Sequence, residues 1–399
     1  MKALQTASNQ RAVATCLTED QVREAEYVLP GLRTLRNPRG LILMRATDPS
    51  RSGDLSRRNF LRLLGAGAIT VGLVGRGFSA TPERNATKTG AKLLRGIFPI
   101  AQTPFTAGNE LDLDALVKQL EFIARGRVHG FVWPQLASEW STLSEGERIA
   151  GMEAIGYAGR KLPTAIVLGV QGADMAAVRR YVQEAERVGA DAIISLPPAE
   201  TGDPNAILRY YQEIGKTSSL PLFVQAVGNV DVDLLLELYR TVPTMRYVKD
   251  EAGDPLERVG RLRERSHDEI KVFSGGHGRK LIEEQERGFS GSMPAASFAD
   301  LYATTFDLWQ AGKRDEARAN QARTLEALNV MLRYGTEGMK YVLYARGVFN
   351  TSRIRTPVKQ SFAAAAKIAT GGANVQPLDD DGKKTLDALV ASLRPYYRA

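Results

Sequence analysis

From residue 96 onward, short apolar runs alternate with amphipathic stretches. The apolar runs are Gly96–Phe105, Gly130–Pro134, Thr164–Val170, Ala192–Pro197, Pro221–Val227, Arg246–Asp250, Lys271–Gly275 and Phe289–Pro294. They are rich in Val, Ile and Phe and nearly continuous in hydrophobicity, as strands buried on both faces of a parallel sheet are. Between them apolar positions recur at helical spacing. Leu113, Leu116, Leu120 and Ile123 form one such face, Val178, Val182 and Ala185 a second, and Leu234, Leu235, Leu238 and Tyr239 a third. Asp112, Ser144 and Pro204 stand where helices are expected to start, and Gly189-Ala190-Asp191 closes one helix ahead of a strand.

Eight strand–helix units over about 215 residues match the size of a (β/α)8 TIM barrel, an α/β fold. A doubly wound open sheet is the rival, but no Gly-x-Gly-x-x-Gly follows the first strand. Beyond Gly312 the spacing is helical, at Asp315–Arg333, Glu337–Arg346 and Lys383–Leu393. The pattern therefore predicts a leader over residues 1–80, a polar linker over 81–95, the barrel over 96–312 and a helical C-terminal appendage over 313–399.

Charge changes the picture only in the leader. The 399 residues carry a net charge of +8, but residues 1–80 hold 12 Lys+Arg against 6 Asp+Glu, leaving the rest near neutral at +2. No basic stripe of the kind that nucleic-acid binding requires is present, and no nucleic-acid partner is expected. The single cysteine, Cys16, excludes a disulfide framework. His129, His267 and His277 stand far apart without a ligand motif, so neither a metal nor another cofactor is expected.

Residues 56–62 read Ser-Arg-Arg-Asn-Phe-Leu-Arg, and a Gly/Ala-rich apolar stretch runs from Leu63 to Gly75 before Arg76. This resembles a twin-arginine export signal, and its apolar stretch is short for a membrane span. The expectation is export, to the periplasm, with cleavage after Ala80 and no stable membrane anchor once cleaved. Residues 1–43 are too long for the basic region of such a signal, so Met44 is expected to be the true start. The mature protein then has no cysteine, which suits an oxidising compartment.

In a barrel of this kind the chemistry sits at the C-terminal strand ends. There the sequence places Gln135, Ser138 and Glu139 after the second strand, Gln171 after the third, Gln225 at the fifth, Lys249-Asp250-Glu251 at the sixth and Ser274-Gly275-Gly276-His277 at the seventh. Lys249 is the candidate for chemistry. A lysine at the end of an apolar strand loses hydration, which disfavours the ammonium, and a neutral amine attacks a carbonyl to form a Schiff base. The alternative is an ordinary ion pair with Asp250 or Glu251. These two follow Lys249 on opposite faces of the strand, so at most one shares its pocket. The Gly-rich turn with Arg279 and Lys280 reads either as an anion cradle or as a tight turn with solvated charges. His277 reads either as an acid–base group or as a surface histidine. Trp133 and Trp140 read as pocket walls or as core, and Arg353 and Arg355 as structural or interfacial residues.

The body from about Leu94 resembles the dihydrodipicolinate synthase/N-acetylneuraminate lyase family of Schiff-base aldolases. The resemblance lies in Gly-Ile-Phe-Pro-Ile-Ala-Gln-Thr-Pro-Phe from Gly96, Val248-Lys249-Asp250-Glu251-Ala252-Gly253-Asp254, Phe273-Ser274-Gly275-Gly276, Gly338-Met339-Lys340 through Gly347, and Arg355-Thr356-Pro357. It implies a TIM barrel with C-terminal helices, a homo-oligomer (dimer or tetramer), Lys249 as the imine-forming lysine, and a small carboxylic acid as substrate. Gln135, Ser138, Glu139, Gln171, Gly275, His277 and Ser292 are the expected substrate-binding residues, and Gln225 occupies a catalytic position.

The departures are informative. The family's Gly-Thr-Thr-Gly-Glu, which holds an oxo-acid carboxylate, is replaced here by Gln135-Leu136-Ala137-Ser138-Glu139. The relay tyrosine of its fifth strand is replaced by Gln225, whose amide donates a hydrogen bond but does not shuttle a proton. The substrate arginine just past that strand is absent near Asn229-Val230. Two functions remain open: an exported Schiff-base lyase or dehydratase acting on a 2-oxo or sugar-type acid and distinct from the synthase, and a non-catalytic exported small-acid-binding protein.

Overall fold

A computed structural model describes residues 14–15, 32–36, 42–46, 92–198, 202–355 and 375–399. The chain divides into two compact units, Met1–Ala86 and Thr87–Ala399. In the first, strands Ala14–Thr15, Leu32–Arg36 and Ile42–Ala46 form an antiparallel sheet in which the last pairs with both others. The arginine pair, the apolar stretch, the expected cleavage site and Cys16 lie outside the described residues.

The second unit is the barrel. Its strands are β1 (Gly96–Ile97), β2 (Gly130–Trp133), β3 (Ala165–Gly169), β4 (Ala192–Ser195), β5 (Leu222–Ala226), β6 (Met245–Asp250), β7 (Lys271–Ser274) and β8 (Gly291–Ser292). They pair in parallel in the order β1-β8-β7-β6-β5-β4-β3-β2. Ile100, just past β1, bridges to Val132 of β2, where Ala101 N donates to Val132 O at 2.9 Å and Val132 N to Pro99 O at 3.0 Å. That seam closes the eight-stranded sheet into a (β/α)8 TIM barrel. The expected first strand, Gly96–Phe105, is thus a two-residue strand followed by isolated bridges, because the chain turns away at Pro99 and Pro104.

The helices are α1 (Leu113–Arg125), α2 (Glu145–Gly159), α3 (Met175–Val188), α4 (Pro204–Thr217), α5 (Val232–Thr241), α6 (Pro255–Arg265), α7 (Leu281–Glu286), α8 (Ala299–Gln310), α9 (Arg314–Leu332), α10 (Gly335–Ala345) and α11 (Asp380–Leu393). Capping explains where the first six begin. Asp112, Asp174, Asp203, Asp231 and Asp254 each accept from a backbone N–H of the first turn, and Ser144 forms a reciprocal capping box with Glu147. Helices α9 to α11 form the C-terminal helical region. No helix among the described residues is long and apolar enough to cross a membrane.

Strand alternation sorts side chains between the lumen and the strand–helix layer. Phe98, Phe223, Tyr247 and Phe273 meet inside the barrel. Phe223 stacks on Tyr247 at 4.4 Å between centroids, and Phe273 meets Phe98 and Phe223 edge-on at 5.2 Å each. Gly130 makes room for this cluster, since a side chain there would overlap the Phe98 ring. Two residues further along the same faces stand Gln225, Lys249 and Gly275. The aromatic cluster is therefore the floor on which the candidate site rests.

Candidate active site

Lys249 is buried, with 4% of its surface exposed. Its Nζ lies 3.1 Å from Oε2 of Glu251, and Gln225, its register neighbour on β5, donates through Nε2 to the same oxygen. Alternation explains the choice of partner. Asp250 points outward to Arg258 of α6, at 3.0 Å, while Glu251, one residue further, returns to the face of Lys249. The Glu251 amide still donates to Ala226 O at 2.9 Å, so its backbone is held to β5. Its carboxylate lies directly against Gly275, where any side chain would overlap it. Thus β5, β6 and β7 jointly fix one carboxylate beside one buried amine.

His277 follows on the β7 loop in a left-handed conformation, φ 53°. Burial pushes its imidazole down to about 4; the nearby Glu251 opposes that shift, and Lys249 and Arg279 add to it. At neutral pH this ring is uncharged.

The loop after β2 is held by its own groups. Gln135 Nε2 donates to Gln171 Oε1 and Gln171 Nε2 to Pro134 O, both at 2.9 Å. Ser138 Oγ donates to Ala101 O and accepts from Gln135 N at 3.0 Å, and the Ser138 amide donates to Gln135 O at 2.8 Å. Ser138 is fully buried with its hydroxyl engaged on the backbone. Gln171 is anchored from outside by Arg148 of α2. This buried arginine donates to the carbonyls of Gln171 and Gly169, lies 3.9 Å from the Tyr181 ring centre, and is pulled down to about 10 by desolvation. Two buried acceptors, Gln135 Oε1 and Gln225 Oε1, receive no hydrogen bond among the described residues.

Glu139 faces the C-terminal helices. It forms a buried ion pair with Lys340 of α10 and accepts from the Arg355 amide at 2.8 Å. Lys340 also donates to Arg353 O at 2.8 Å and lies 4.2 Å from the centre of the Phe105 ring. Burial lowers its ammonium to about 8 against the opposing pull of Glu139. Arg355 adds an ion pair at 2.6 Å to Glu147, whose carboxyl it holds down near 2.

Ser292 lies outside the lumen. It pairs in register with Ser274, whose Oγ meets Ser292 Oγ at 2.9 Å and donates to Glu284 Oε2 of α7 at 2.6 Å. Trp133 likewise points outward, packing against Gly151 of α2 and donating to Thr103 Oγ1 at 2.9 Å. His129 pairs with Asp307 of α8 at 3.1 Å. No group of three or more His, Cys, Asp or Glu among the described residues is placed to hold a metal ion. An open cavity of about 430 Å³ lined by Arg346, Arg394, Tyr397 and Arg398, among others, involves none of the residues around Lys249.

The structure therefore gathers Lys249, Gln225, Gly275 and His277 around Glu251, holds Gln135 and Gln171 to each other at the ends of β2 and β3, turns Glu139 toward Lys340 and turns Ser292 toward α7. Sequence reasoning did not single out Arg148, Glu284 or the pairing of Glu139 with Lys340. None of these carried a local signal: Arg148 stands between Glu147 and Ile149, as an exposed helical arginine would.

Comparison with known proteins agrees with this architecture. Residues 93–367 match the dihydrodipicolinate synthetase family. An L-2-keto-3-deoxyarabonate dehydratase of Azospirillum brasilense is 24% identical over 277 residues, 67% of this chain and 89% of that protein. A 4-hydroxy-tetrahydrodipicolinate synthase of Rhizobium meliloti is 24% identical over 290 residues, 70% of this chain and 97% of its own. Among solved structures, the N-acetylneuraminate lyase of Proteus mirabilis superposes with a TM-score of 0.65 at 13% identity, covering 75% of this chain and 98% of that one. The chain belongs to the dihydrodipicolinate synthetase family.

Proposed function

We propose that this family member is a Schiff-base lyase or dehydratase for a 2-oxo acid of the sugar-acid type, exported by the twin-arginine route. The observation that carries the reading is the enclosed Lys249 amine with a carboxylate 3.1 Å from its Nζ. The ammonium gives its proton to water, and the freed amine attacks the substrate's C2 carbonyl. The N–C2 bond forms, the C2–O bond breaks, and the oxygen leaves as water. The resulting iminium withdraws electrons from C3, so that a C3 proton can depart to give an enamine, which then expels a C4 hydroxyl as water with one added proton; alternatively the C3–C4 bond breaks as the C4 hydroxyl loses its proton and becomes a carbonyl.

The substrate class follows from the acceptors. Gln135 Oε1 and Gln225 Oε1 are buried without donors among the described residues, and buried acceptors favour partners that bring hydroxyl groups. A polyhydroxylated chain supplies them, whereas pyruvate does not. The relative from A. brasilense carries the name of a keto-deoxy sugar-acid dehydratase, which accords with this class. Synthase chemistry on pyruvate and aspartate semialdehyde is not expected, because Gln225 replaces the relay tyrosine and Ser138 is engaged on the backbone. The arginine pair Arg57-Arg58 supports export, and scavenging of an external acid suits that location.

The test is covalent trapping. Incubation with a panel of 2-oxo acids, including 2-keto-3-deoxy sugar acids, followed by borohydride reduction should add the acid's mass to the peptide containing Lys249. Lys249→Ala should abolish the adduct. Intact-mass spectra without an adduct for any member of the panel at millimolar concentration would overturn the reading in favour of a non-catalytic acid-binding protein.

A further inference from the structure

We infer that Glu251 is the acid–base residue of this site, removing and returning the proton on the carbon next to the imine, and that Gln225 is its positioning residue. This rests on the reading of Lys249 as the imine-forming amine.

Three observations carry it. The first is distance. The carbon that must lose a proton is two bonds beyond Nζ, and Oε2 of Glu251 lies 3.1 Å from Nζ. A base needs hydrogen-bond reach to the proton it takes, and this carboxylate has that reach. The second is construction. Gln225 Nε2 donates to Oε2 from β5, the Glu251 backbone is tied to Ala226, and Gly275 of the β7 end leaves out the side chain that would displace the carboxylate. A solvated surface glutamate would require none of these.

The third is the character of the other groups. Gln225 carries an amide, which does not exchange a proton at neutral pH. Ser138 Oγ is engaged on the Ala101 carbonyl. Tyr247 is stacked into the floor on Phe223. Burial holds the His277 imidazole at about 4, too weak a base to lead at neutral pH. Asp250 faces Arg258 on the far side of the strand.

The step balances without a further reactant. The C3–H bond breaks toward the Glu251 carboxylate, and its electron pair forms the C2–C3 double bond. The C2–N π pair returns to the Lys249 nitrogen, giving an enamine. Return of a proton from Glu251 reverses each change. In deuterated water the returned nucleus is deuterium, so the substrate's C3 hydrogens exchange even when no bond to C4 is cleaved.

Pyruvate in deuterated water is the probe, with methyl exchange followed by NMR and adduct formation by borohydride and mass spectrometry. The wild type should show both. Glu251→Gln should keep the Lys249 adduct and lose exchange by about 10²–10⁴-fold, the usual range for a lost acid–base group. Glu251→Ala should regain part of the exchange when formate is added. Gln225→Leu should keep the adduct and slow exchange less than Glu251→Gln does, lowering the maximal exchange rate without raising the half-saturating pyruvate concentration. Exchange in Glu251→Gln within threefold of wild type would overturn the assignment. So would loss of the adduct in Glu251→Gln, which would put Glu251 in imine formation instead. A wild type that forms no adduct fails one step earlier, on Lys249 itself.

Discussion

Among the described residues two buried lysines face glutamates, and they behave as opposites. Lys340 is fully enclosed, and its partners all lie within the protein: the Glu139 carboxylate, the Arg353 carbonyl and the Phe105 ring. Lys249 has one ionic partner, and that partner retains about a fifth of its side-chain exposure and is shared with Gln225. The first pair joins the loop after β2 to the C-terminal helices. The second stands at the end of the lumen with donors and acceptors to spare. The contrast shows that burial of a lysine says little about its role; the completeness of its partner set says more.

The contrast breaks most sharply on stability. Lys340→Met should strand Glu139 as a buried charge and cost about 3–5 kcal/mol, read by urea denaturation. Lys249→Met should cost less than about 1 kcal/mol, since Glu251 keeps both Gln225 and partial solvation. Equal losses in the two variants would remove the distinction. Pairing Lys340→Met with Glu139→Gln should recover a large part of the cost, because neither charge is then left alone.

A finer test uses the space at Gly275. Gly275→Ala places a methyl group on the Glu251 carboxylate, so the acid must rotate away. Carbon-proton exchange should fall by at least tenfold while the Lys249 adduct still forms and the melting temperature drops by only a few degrees.

A last test concerns pH. His277 is held at about 4 in the fold, against 6.5 when unperturbed. Between those values the unfolded chain binds the proton that the folded chain refuses, so stability falls as pH drops through that window. His277→Gln should flatten that part of the stability–pH curve. Glu284 runs the other way. Burial raises it to about 7, the fold holds a proton that the unfolded chain releases above about 4.5, and its contribution is lost as pH rises through that interval. Glu284→Gln should make stability less sensitive to alkalinisation there.

Much of this was legible in the sequence. The barrel showed in its eight apolar runs, and helix starts in Asp112, Ser144 and Pro204, because strand burial and capping are local effects. Lys249 stood out for the same local reason. Alternation alone also implies that Glu251, not Asp250, shares its face, once the strand is known to continue past Lys249. What could not be read was register between distant segments. Ser292 was expected at the substrate, yet its parity with Ser274 turns it toward α7. Glu139 and Lys340 meet only because α10 folds back over the loop after β2, and no spacing rule announces that. The role of Gly275 was hidden for a different reason: a missing side chain leaves no pattern, only room for another residue's carboxylate.

The aromatic floor has a consequence for traffic. Phe98, Phe223 and Phe273 are fully buried and close the lumen beneath Lys249. Among the described residues the barrel is closed below the amine, which leaves the C-terminal strand ends as its way in. Whatever enters to meet the amine, and the water molecule released when the imine forms, must pass the same opening in opposite directions, so a long substrate seated in that opening holds its own by-product inside until it shifts.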